Sequence, residues 1–376
     1  MDSGIRLHDY AKWIVFGSLD LTTRPVANWN KFVFLAAKLG KLRAKLIAEL
    51  SKRRVKLADD LAKQGRLSEA WTVLEKVPPD HFGGQRLRTR IRYSQGNIVA
   101  ARQEAAKHDE LLARSLRGVH LRKLFDECLR RALADDEEPK LSKWLWPRLN
   151  LPASSKADWL VKLRWGMQIN KLIGKWIRAN CNQLDELYEI VEPPDLSLLA
   201  AVKADQRPVL LAGAHLGPVS LGTHYLDRAA IPYVLLAGGL PRNFAVTPFL
   251  VANESHSILE LRRILSTLGT VYVAIDGRHG RSSYPATLFG SPIYLREGAA
   301  ALARLSKAQT FWYAAHWVDH RIRLDLVPGP VALQDETRKA WNARWFSFCM
   351  AEYESLILAG PENIRDGKFL RLFVDE

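Results

Sequence analysis

The sequence predicts an all-α segment of helical hairpins over residues 1–150, followed by an α/β domain over residues 151–376. Two observations lead to this division. Before residue 193 the apolar side chains recur mostly at helical spacing, three or four residues apart. From residue 207 onward, short apolar runs alternate with helical segments, a pattern that predicts a mixed, mainly parallel sheet flanked by helices.

Composition limits the classes of function. The chain has 376 residues, of which 48% are hydrophobic, so it can bury a large core and is not a disordered chain. Its formal net charge of +15 implies an acidic partner, for which nucleic acid, an anionic membrane surface and an acidic carrier protein all qualify. The three cysteines are widely spaced and form no disulfide or metal pattern, which indicates a reducing, cytoplasmic compartment and no metal cofactor.

Residues 28–58 predict a basic amphipathic helix. Its leucines recur at helical spacing, and they are Leu35, Leu39, Leu42, Leu46 and Leu50. Eight lysines and arginines lie between Lys38 and Lys56. Such a helix can lie in an anionic membrane interface. The alternative is that the leucines pack on the next element while the cations are solvated. A second basic stretch, at 162–178, lies in the predicted helix 159–192.

Residues 57–112 contain a weak internal repeat. The pairs Gln64-Gly65 and Gln95-Gly96 are 31 residues apart, and Ala70 and Ala101 each follow the glycine by five residues. The register is similar to that of the tetratricopeptide repeat, which has a period of about 34 residues. The two copies predict a helical-hairpin scaffold or docking surface for a protein partner. The linker-like segment at 149–158 places the domain boundary near residue 150.

Two buried strands of the predicted sheet end in polar side chains. The apolar run Val209–Ala214 stops at His215, and the run Thr270–Ile275 stops at Asp276. Ligands of open α/β sheets bind outside the carboxyl ends of the strands, so we expect these two ends to form walls of one crevice. The alternatives are a histidine satisfied at a strand end and an aspartate that caps its own turn.

Further elements follow the same reading of periodicity and turn residues. The predicted strands are at 231–238, 309–318 and 320–329. One predicted helix starts near residue 218, and the others lie at 256–268, 296–308 and 336–358. Residues 277–295 are predicted to form a long loop.

Four local features over residues 159–370 together resemble the lysophospholipid acyltransferase superfamily, and within it the bacterial lipid A acyltransferase-like branch. They are AGAHLG at 212–217, AIDGRHGR at 274–281, LFGSPIYLREGAAALARLSKA at 288–308, and PENI at 361–364 after a long helix. Their order and spacing carry the resemblance, which does not cover the first 150 residues.

The resemblance implies transfer of a fatty acyl group from acyl carrier protein or acyl-CoA to a hydroxyl or amine. The acceptor would be a glycolipid, a lysophospholipid or another membrane-associated molecule at the inner face of the cell membrane. His215 would be the general base. The family places an aspartate or glutamate five residues after this histidine, and here that residue is Ser220. Asp276 is our first candidate to supply the missing charge, and Asp227 is the second.

Arg278 and Arg281 are candidates for binding a phosphate of the donor, and Gly290 is assigned with them to the substrate-binding loop. A solvated loop explains the arginines equally well, and Gly290 also suits a purely structural turn. The competing function is a catalytically weak or inactive module of the same fold that binds lipid or a protein. Nucleic-acid binding ranks last because no nucleic-acid motif accompanies the charge.

Overall fold

The computed structural model describes residues 25–237, 249–251, 257–267, 269–277 and 282–365. The chain forms two compact units, residues 1–91 and 92–376. This division differs from the boundary predicted near residue 150. Within the parts of the chain that are described, no helix is long and apolar enough to cross a membrane.

Helical hairpins make up the described part of the first unit. Its helices are α1 (Pro25–Lys63), α2 (Leu67–Glu75) and most of α3 (Phe82–Ser94). The turn between α1 and α2 passes through Gly65, whose φ of 79° suits a residue without a side chain. Ala70, five residues later, is fully buried in the core of this unit. Gly96, with a φ of 74°, makes the equivalent turn after α3. The Gln-Gly pairs of the repeat therefore lie at helix–helix turns.

The second unit contains the remaining helices. They are α4 (Ile98–Arg114), α5 (Leu121–Ala134), α6 (Lys140–Leu145), α7 (Lys156–Ala179), α8 (Asp185–Tyr188), α9 (Ser197–Ala204), α10 (Val219–Arg228), α11 (Ser257–Ser266), α12 (Gly298–Ser306) and α13 (Arg338–Ala359), with 3-10 turns at Trp146–Arg148, Ala153–Ser155 and Pro361–Asn363. The last of these, Pro361–Asn363, is called the C-terminal turn below.

Residues 92–150 join the second unit because α5 shares a core with α7. Leu124 and Cys128 of α5 are buried with Trp165 and Ile169 of α7. Burial of these side chains stabilises the pairing of the two helices by a few kcal/mol, about 2 for each large apolar side chain. The linker-like composition at 149–158 therefore marks a connection inside one unit.

Over the described residues, seven strands form one sheet in the order β1-β9-β8-β2-β5-β3-β4. The strands of this sheet are β1 (Val191–Glu192), β2 (Val209–Gly213), β3 (Val234–Ala237), β4 (Phe249–Val251), β5 (Thr270–Ala274), β8 (Gln309–Val318) and β9 (Arg321–Pro328). Only the pairing of β8 with β9 is antiparallel among these described strands. The predicted α/β class with a mixed, mainly parallel sheet is confirmed.

The central strand β2 is buried on both faces. Leu210 and Ala212 pack into a core that includes α13, whereas Val209 and Leu211 pack into a second core with side chains of α9 and α10. A wholly apolar strand is the expected sequence for this position, because helices cover both faces of the sheet.

Two predictions of local structure were wrong. The long loop expected at 277–295 contains a hairpin of β6 (Ser283–Leu288) and β7 (Ser291–Arg296). Phe289 and Gly290 make its two-residue turn with φ values of 45° and 74°. The helix expected at 159–192 ends at Ala179, and α8 and β1 follow it.

Gly166 in the middle of α7 lies against the backbone of the C-terminal turn. A Cβ at this position would overlap the carbonyl group of Glu362. We therefore expect Gly166→Ala to lower the free energy of unfolding by about 3 kcal/mol. Urea unfolding followed by tryptophan fluorescence measures it.

Gly298→Ala is the matched control, because nothing lies within 4 Å of a Cβ built there. This change should alter the free energy of unfolding by less than about 1 kcal/mol. Equal effects of the two substitutions would contradict the close approach of α7 and the C-terminal turn.

Candidate active site

His215 and Asp276 follow neighbouring parallel strands. Strands β2 and β5 pair in register, with Gly213 opposite Ala274, so the residues after them reach the same edge of the sheet. The chain leaves β2 through His215 and then enters α10, whose first residue is Val219. The predicted crevice walls are therefore adjacent at the carboxyl ends of the strands.

Two hydrogen bonds connect His215 to the carboxylate of Asp276. The imidazole Nδ1 lies 2.7 Å from Oδ1, and the backbone N–H of His215 donates to Oδ2 at 2.9 Å. The Asp276 side chain is only 1% exposed, whereas the His215 side chain is 28% exposed. Both carboxylate oxygens of Asp276 are thus hydrogen-bonded to His215, and the imidazole ring of His215 is partly exposed to solvent.

This geometry sets what the imidazole can do. When the ring carries its proton on Nδ1, it donates that proton to Asp276 and leaves the lone pair on Nε2 available as a base. If Nε2 takes a proton, the adjacent carboxylate stabilises the imidazolium cation. The arrangement therefore suits proton abstraction from a group that approaches Nε2.

The loop after β2 can pass close to β8 because Gly217 has no side chain. Gly217 has a φ of 57°, and a Cβ there would overlap the carbonyl oxygen of Ala315 in β8. Its N–H donates to the carbonyl oxygen of Asn363 at 2.6 Å. The C-terminal turn thus fixes the loop two residues after His215.

Asn363 is itself fully buried and held by its side chain. Its Oδ1 accepts a hydrogen bond from the Trp317 N–H at 2.6 Å, and its Nδ2 donates to the carbonyl oxygens of Trp317 and Leu356, each at 3.1 Å. One side chain therefore ties the C-terminal turn to the end of β8 and to α13.

Asn170 of α7 joins the same network. Its Nδ2 donates to the carbonyl oxygen of Glu362 at 2.8 Å, and its Oδ1 accepts from the indole N–H of Trp317 at 2.8 Å. The sequence pointed to this turn only through the PENI motif, and it gave no role to Asn363 or Asn170. Asn170, which lies between two isoleucines of α7, was an available signal because a buried amide requires hydrogen-bond partners, whereas Asn363 follows a proline and a glutamate and gave no such signal.

Two tyrosines lie close to the buried carboxylate of Asp276. Burial, and secondarily the negative charge of Asp276, raises the pKa of the Tyr272 phenol and that of the Tyr353 phenol far above the ordinary value. Both hydroxyls therefore stay protonated at neutral pH, so they add no second negative charge beside His215.

Ser220 does not take part in this pairing. Its side chain lies against α7, where its Oγ is 2.5 Å from the position that a Cβ of Gly174 would occupy. Among the hydrogen bonds of the described residues, none joins Ser220 to the imidazole of His215. The structure brings Asp276 to His215 and places the side chain of Ser220 on a helix packing surface.

The second candidate carboxylate, Asp227, interacts elsewhere. Burial raises its pKa, while a hydrogen bond with Tyr233 and the nearby His224 act in the opposite direction. His224 also lies 3.0 Å from the Tyr188 hydroxyl. Asp227 and His224 therefore belong to a packing region of α10.

The candidate substrate-binding residues are placed only in part. Arg278 and Arg281 lie outside the described residues. Gly290 occupies the exposed turn of the β6–β7 hairpin, and the N–H of the preceding Phe289 donates to Glu354 of α13 at 2.7 Å. Within the described ranges, no group of three or more His, Cys, Asp or Glu residues could hold a metal ion.

A second histidine–aspartate pair lies near the first. His316 Nδ1 approaches Asp325 Oδ2 to 3.2 Å, and the His316 side chain is only 5% exposed. Burial lowers the pKa of His316 and raises the pKa of Asp325. Because its imidazole has little contact with solvent, this pair is a poorer candidate than His215 and Asp276 for contact with a substrate.

Comparisons with known proteins add no relative. A scan against protein-family models finds no match. A search of curated proteins also finds no similar protein. The function proposed for the chain therefore depends on the geometry around His215 and Asp276.

The buried carboxyl of Glu362 predicts a pH dependence of stability. Burial raises its pKa, and its Oε2 has no hydrogen-bond partner among the described residues. A raised folded-state pKa stabilises the fold at pH values below the unfolded pKa of about 4.3, and this contribution is lost as pH rises through the folded pKa. Glu362→Gln should therefore unfold at higher urea concentration than wild type at pH 8.

The advantage of Glu362→Gln should shrink as the pH falls toward about 3, because the wild-type carboxyl is then mostly neutral in both states. Urea midpoints measured at several pH values test this. A constant difference between the two proteins at every pH would contradict a buried, titrating Glu362.

The position of Ser220 predicts that an acid introduced at this residue will lower stability and will not become a second partner of His215. Ser220→Glu would force a longer, charged side chain against Gly174 of α7. It would also find Nδ1 of His215 already hydrogen-bonded to Asp276. We expect this variant to lose about 2 kcal/mol of stability. Ser220→Ala, the matched control, should change stability by less than about 1 kcal/mol. Thermal unfolding of both variants is the measurement, and a more stable glutamate variant would contradict the assignment.

Proposed function

We propose that the chain is an acyltransferase that uses His215 as general base and Asp276 as the carboxylate that orients it. The observation that carries this proposal is the pair of hydrogen bonds from one histidine to both oxygens of a buried carboxylate. The resemblance of residues 159–370 to lipid acyltransferases selects acyl transfer from the reactions that such a base can assist.

The proposed reaction is a nucleophilic substitution at a thioester. Nε2 of His215 removes the proton of the acceptor hydroxyl or amine while the acceptor oxygen or nitrogen attacks the carbonyl carbon. The new carbon–oxygen or carbon–nitrogen bond forms, and the carbon–sulfur bond breaks. The departing thiolate takes the proton from the imidazolium, which returns His215 to its starting state.

The donor in this proposal is an acyl carrier protein or acyl-CoA, and the acceptor is a membrane-associated hydroxyl or amine. A net charge of +15 favours an acidic carrier or an anionic lipid surface as partner. We place the protein in the cytoplasm, peripheral at the inner face of the membrane, with the N-terminal helical hairpins as a docking surface for a further protein.

Ser220 supports a second candidate function. The family acid is missing at this position, and the serine packs on α7 instead. A module of the same fold that binds lipid or protein without chemistry would tolerate that loss. The two functions differ in whether His215 affects thioester consumption.

His215→Ala and Asp276→Asn test the acyltransferase. Each should lower the rate of thiol release from an acyl thioester by about a thousandfold or more, because the base or its orienting charge is lost. The measurement is thiol release from palmitoyl-CoA or from palmitoyl-loaded acyl carrier protein, with cell lipid extract as the acceptor source.

His120→Ala is the matched control, because His120 also lies 2.6 Å from a carboxylate, that of Glu186, but belongs to the start of α5. Its rate should equal that of wild type. If wild type and His215→Ala release thiol at the same background rate, the binding module replaces the enzyme as the function.

A further inference from the structure

Five leucines of α1 remain exposed, whereas Leu61, near the end of the helix, packs into the core of the first unit. Leu39, Leu42, Leu46, Leu50 and Leu57 are between 42% and 56% exposed. The sequence left open whether these side chains pack on the next element, and the structure shows that they do not pack into the core shared with α2. Five large apolar side chains on one helix therefore face solvent. This concentration is unusual, because exposed leucines are normally scattered singly over a protein surface.

The spacing of these leucines keeps them in one row. Leu39 and Leu50 are eleven residues apart, as are Leu46 and Leu57. Eleven residues make three turns of a nearly straight α-helix, so side chains at this spacing stay on one line. A left-handed coiled coil with a second copy needs a seven-residue repeat, and continuing that repeat from Leu39, Leu42 and Leu46 reaches Glu49 and Arg53. The row therefore does not match the left-handed geometry.

Packing of α1 on α2 uses a different face of the helix. Ser51 and Ala58 are buried there, and Val55 packs beside them. At about 100° per residue, this face lies roughly a quarter to a half turn away from the leucine row. Within the described residues of the first unit, the row, called the leucine face below, therefore stays uncovered even where α1 packs on its neighbour.

Cations border the leucine face. Lys38, Lys41, Lys45, Lys52 and Lys56 are exposed on the far and lateral sides of the helix. Arg43 and Arg53 lie closer to the leucines, within about 70° of the row, whereas Arg54 donates to the carbonyl oxygen of Lys76 at 2.7 Å. Long basic side chains can keep their charge in the headgroup region while their stems follow apolar surface.

The other basic helix is not equivalent. In α7, Arg178 is only 14% exposed and lies 3.3 Å from Asp109. Arg164 of the same helix donates to the carbonyl oxygen of Glu137. These cations are engaged within the second unit, so an expectation of membrane contact through residues 162–178 has less support than one through α1.

We propose that the leucine face of α1 lies in the interface of an anionic lipid bilayer, with its lysines and arginines at the headgroups. Charge complementarity selects an anionic surface, and the row of leucines selects one with an accessible apolar layer. A nucleic acid would use the cations and leave the leucines without a partner. This contact does not depend on acyl transfer, so it stands or fails separately from the proposed reaction.

Leu42→Glu combined with Leu46→Glu tests the apolar part of the contact. Binding of the full chain to vesicles of phosphatidylcholine and phosphatidylglycerol in equal parts should weaken by at least about tenfold, because buried apolar surface is lost. Leu133→Glu with Leu333→Glu is the matched control, since these leucines are 62% and 67% exposed and lie outside α1. Vesicle sedimentation gives the bound fraction, and circular dichroism verifies that each variant is folded.

Lys41→Glu, Lys45→Glu and Lys52→Glu together test the charged part. Each cation near an anionic surface strengthens binding about fivefold, so this variant should bind on the order of a hundredfold more weakly. The control reverses Lys123, Lys140 and Lys339, which are exposed elsewhere and change the net charge equally. Wild type should bind phosphatidylcholine alone weakly and lose its binding to the mixed vesicles in high salt.

Three outcomes would overturn the proposal. The first is equal loss of binding in the α1 variants and their controls, which would indicate a general effect of net charge. The second is wild-type vesicle binding by the leucine variant together with a loss of RNA binding in the lysine variant. The third is conversion of a dimer to a monomer by the leucine variant in analytical ultracentrifugation, with no vesicle binding by wild type, which would make a second copy the occupant.

Discussion

The hydrogen bond from the N–H of Gly217 to the carbonyl oxygen of Asn363 is the contact on which the candidate site depends. It sets where the backbone goes after β2, and that path determines where His215 meets Asp276. The acceptor is rigid because the Asn363 side chain makes three further hydrogen bonds to buried backbone groups. The support therefore fixes the loop that follows His215, while Asp276 binds the backbone N–H and the imidazole of His215 itself.

Close backbone approach explains several glycines around this support. Gly166 and Gly217 each lie against a carbonyl group that a Cβ would overlap, and Gly174 leaves room for Ser220. These positions let α7, the C-terminal turn and the loop after β2 meet without intervening side chains. The hydrogen bonds of Asn170 and Asn363 then satisfy the backbone groups that this close packing removes from water.

The sequence predicts the class of the fold and the proximity of His215 and Asp276, because both follow from local patterns. Apolar runs of strand length ending in polar side chains place those side chains at one edge of a parallel sheet. Strands as short as Val191–Glu192 and Phe249–Val251 carry no such pattern. The hairpin at 283–296 shows no clear strand pattern in the sequence, because β6 includes Pro285 and only short apolar segments. The role of Asn363 depends on partners distant in sequence, which periodicity does not reveal.

The leucine row of α1 marks a different limit of sequence patterns. Helical spacing of apolar residues predicts that a face will be covered, but it does not distinguish a protein neighbour from lipid. The exposure of Leu42 and Leu46 in the folded chain shows only that no neighbour in the described part of the first unit covers them. By contrast, the stripe on α7 has the same periodicity and is buried, with Ile169 and Ile173 in the core of the second unit.

The C-terminal turn affects when the support of the His215 loop can form during synthesis of the chain. Asn170 and Glu362 are 192 residues apart, yet their contact belongs to the same support as the His215 loop. A ribosome has therefore completed the strands and most of the helices before it makes the residues that hold this loop. Until then, a nascent chain lacks the hydrogen bond from Gly217 that holds the loop after His215, so this part of the support forms only after translation has passed residue 363.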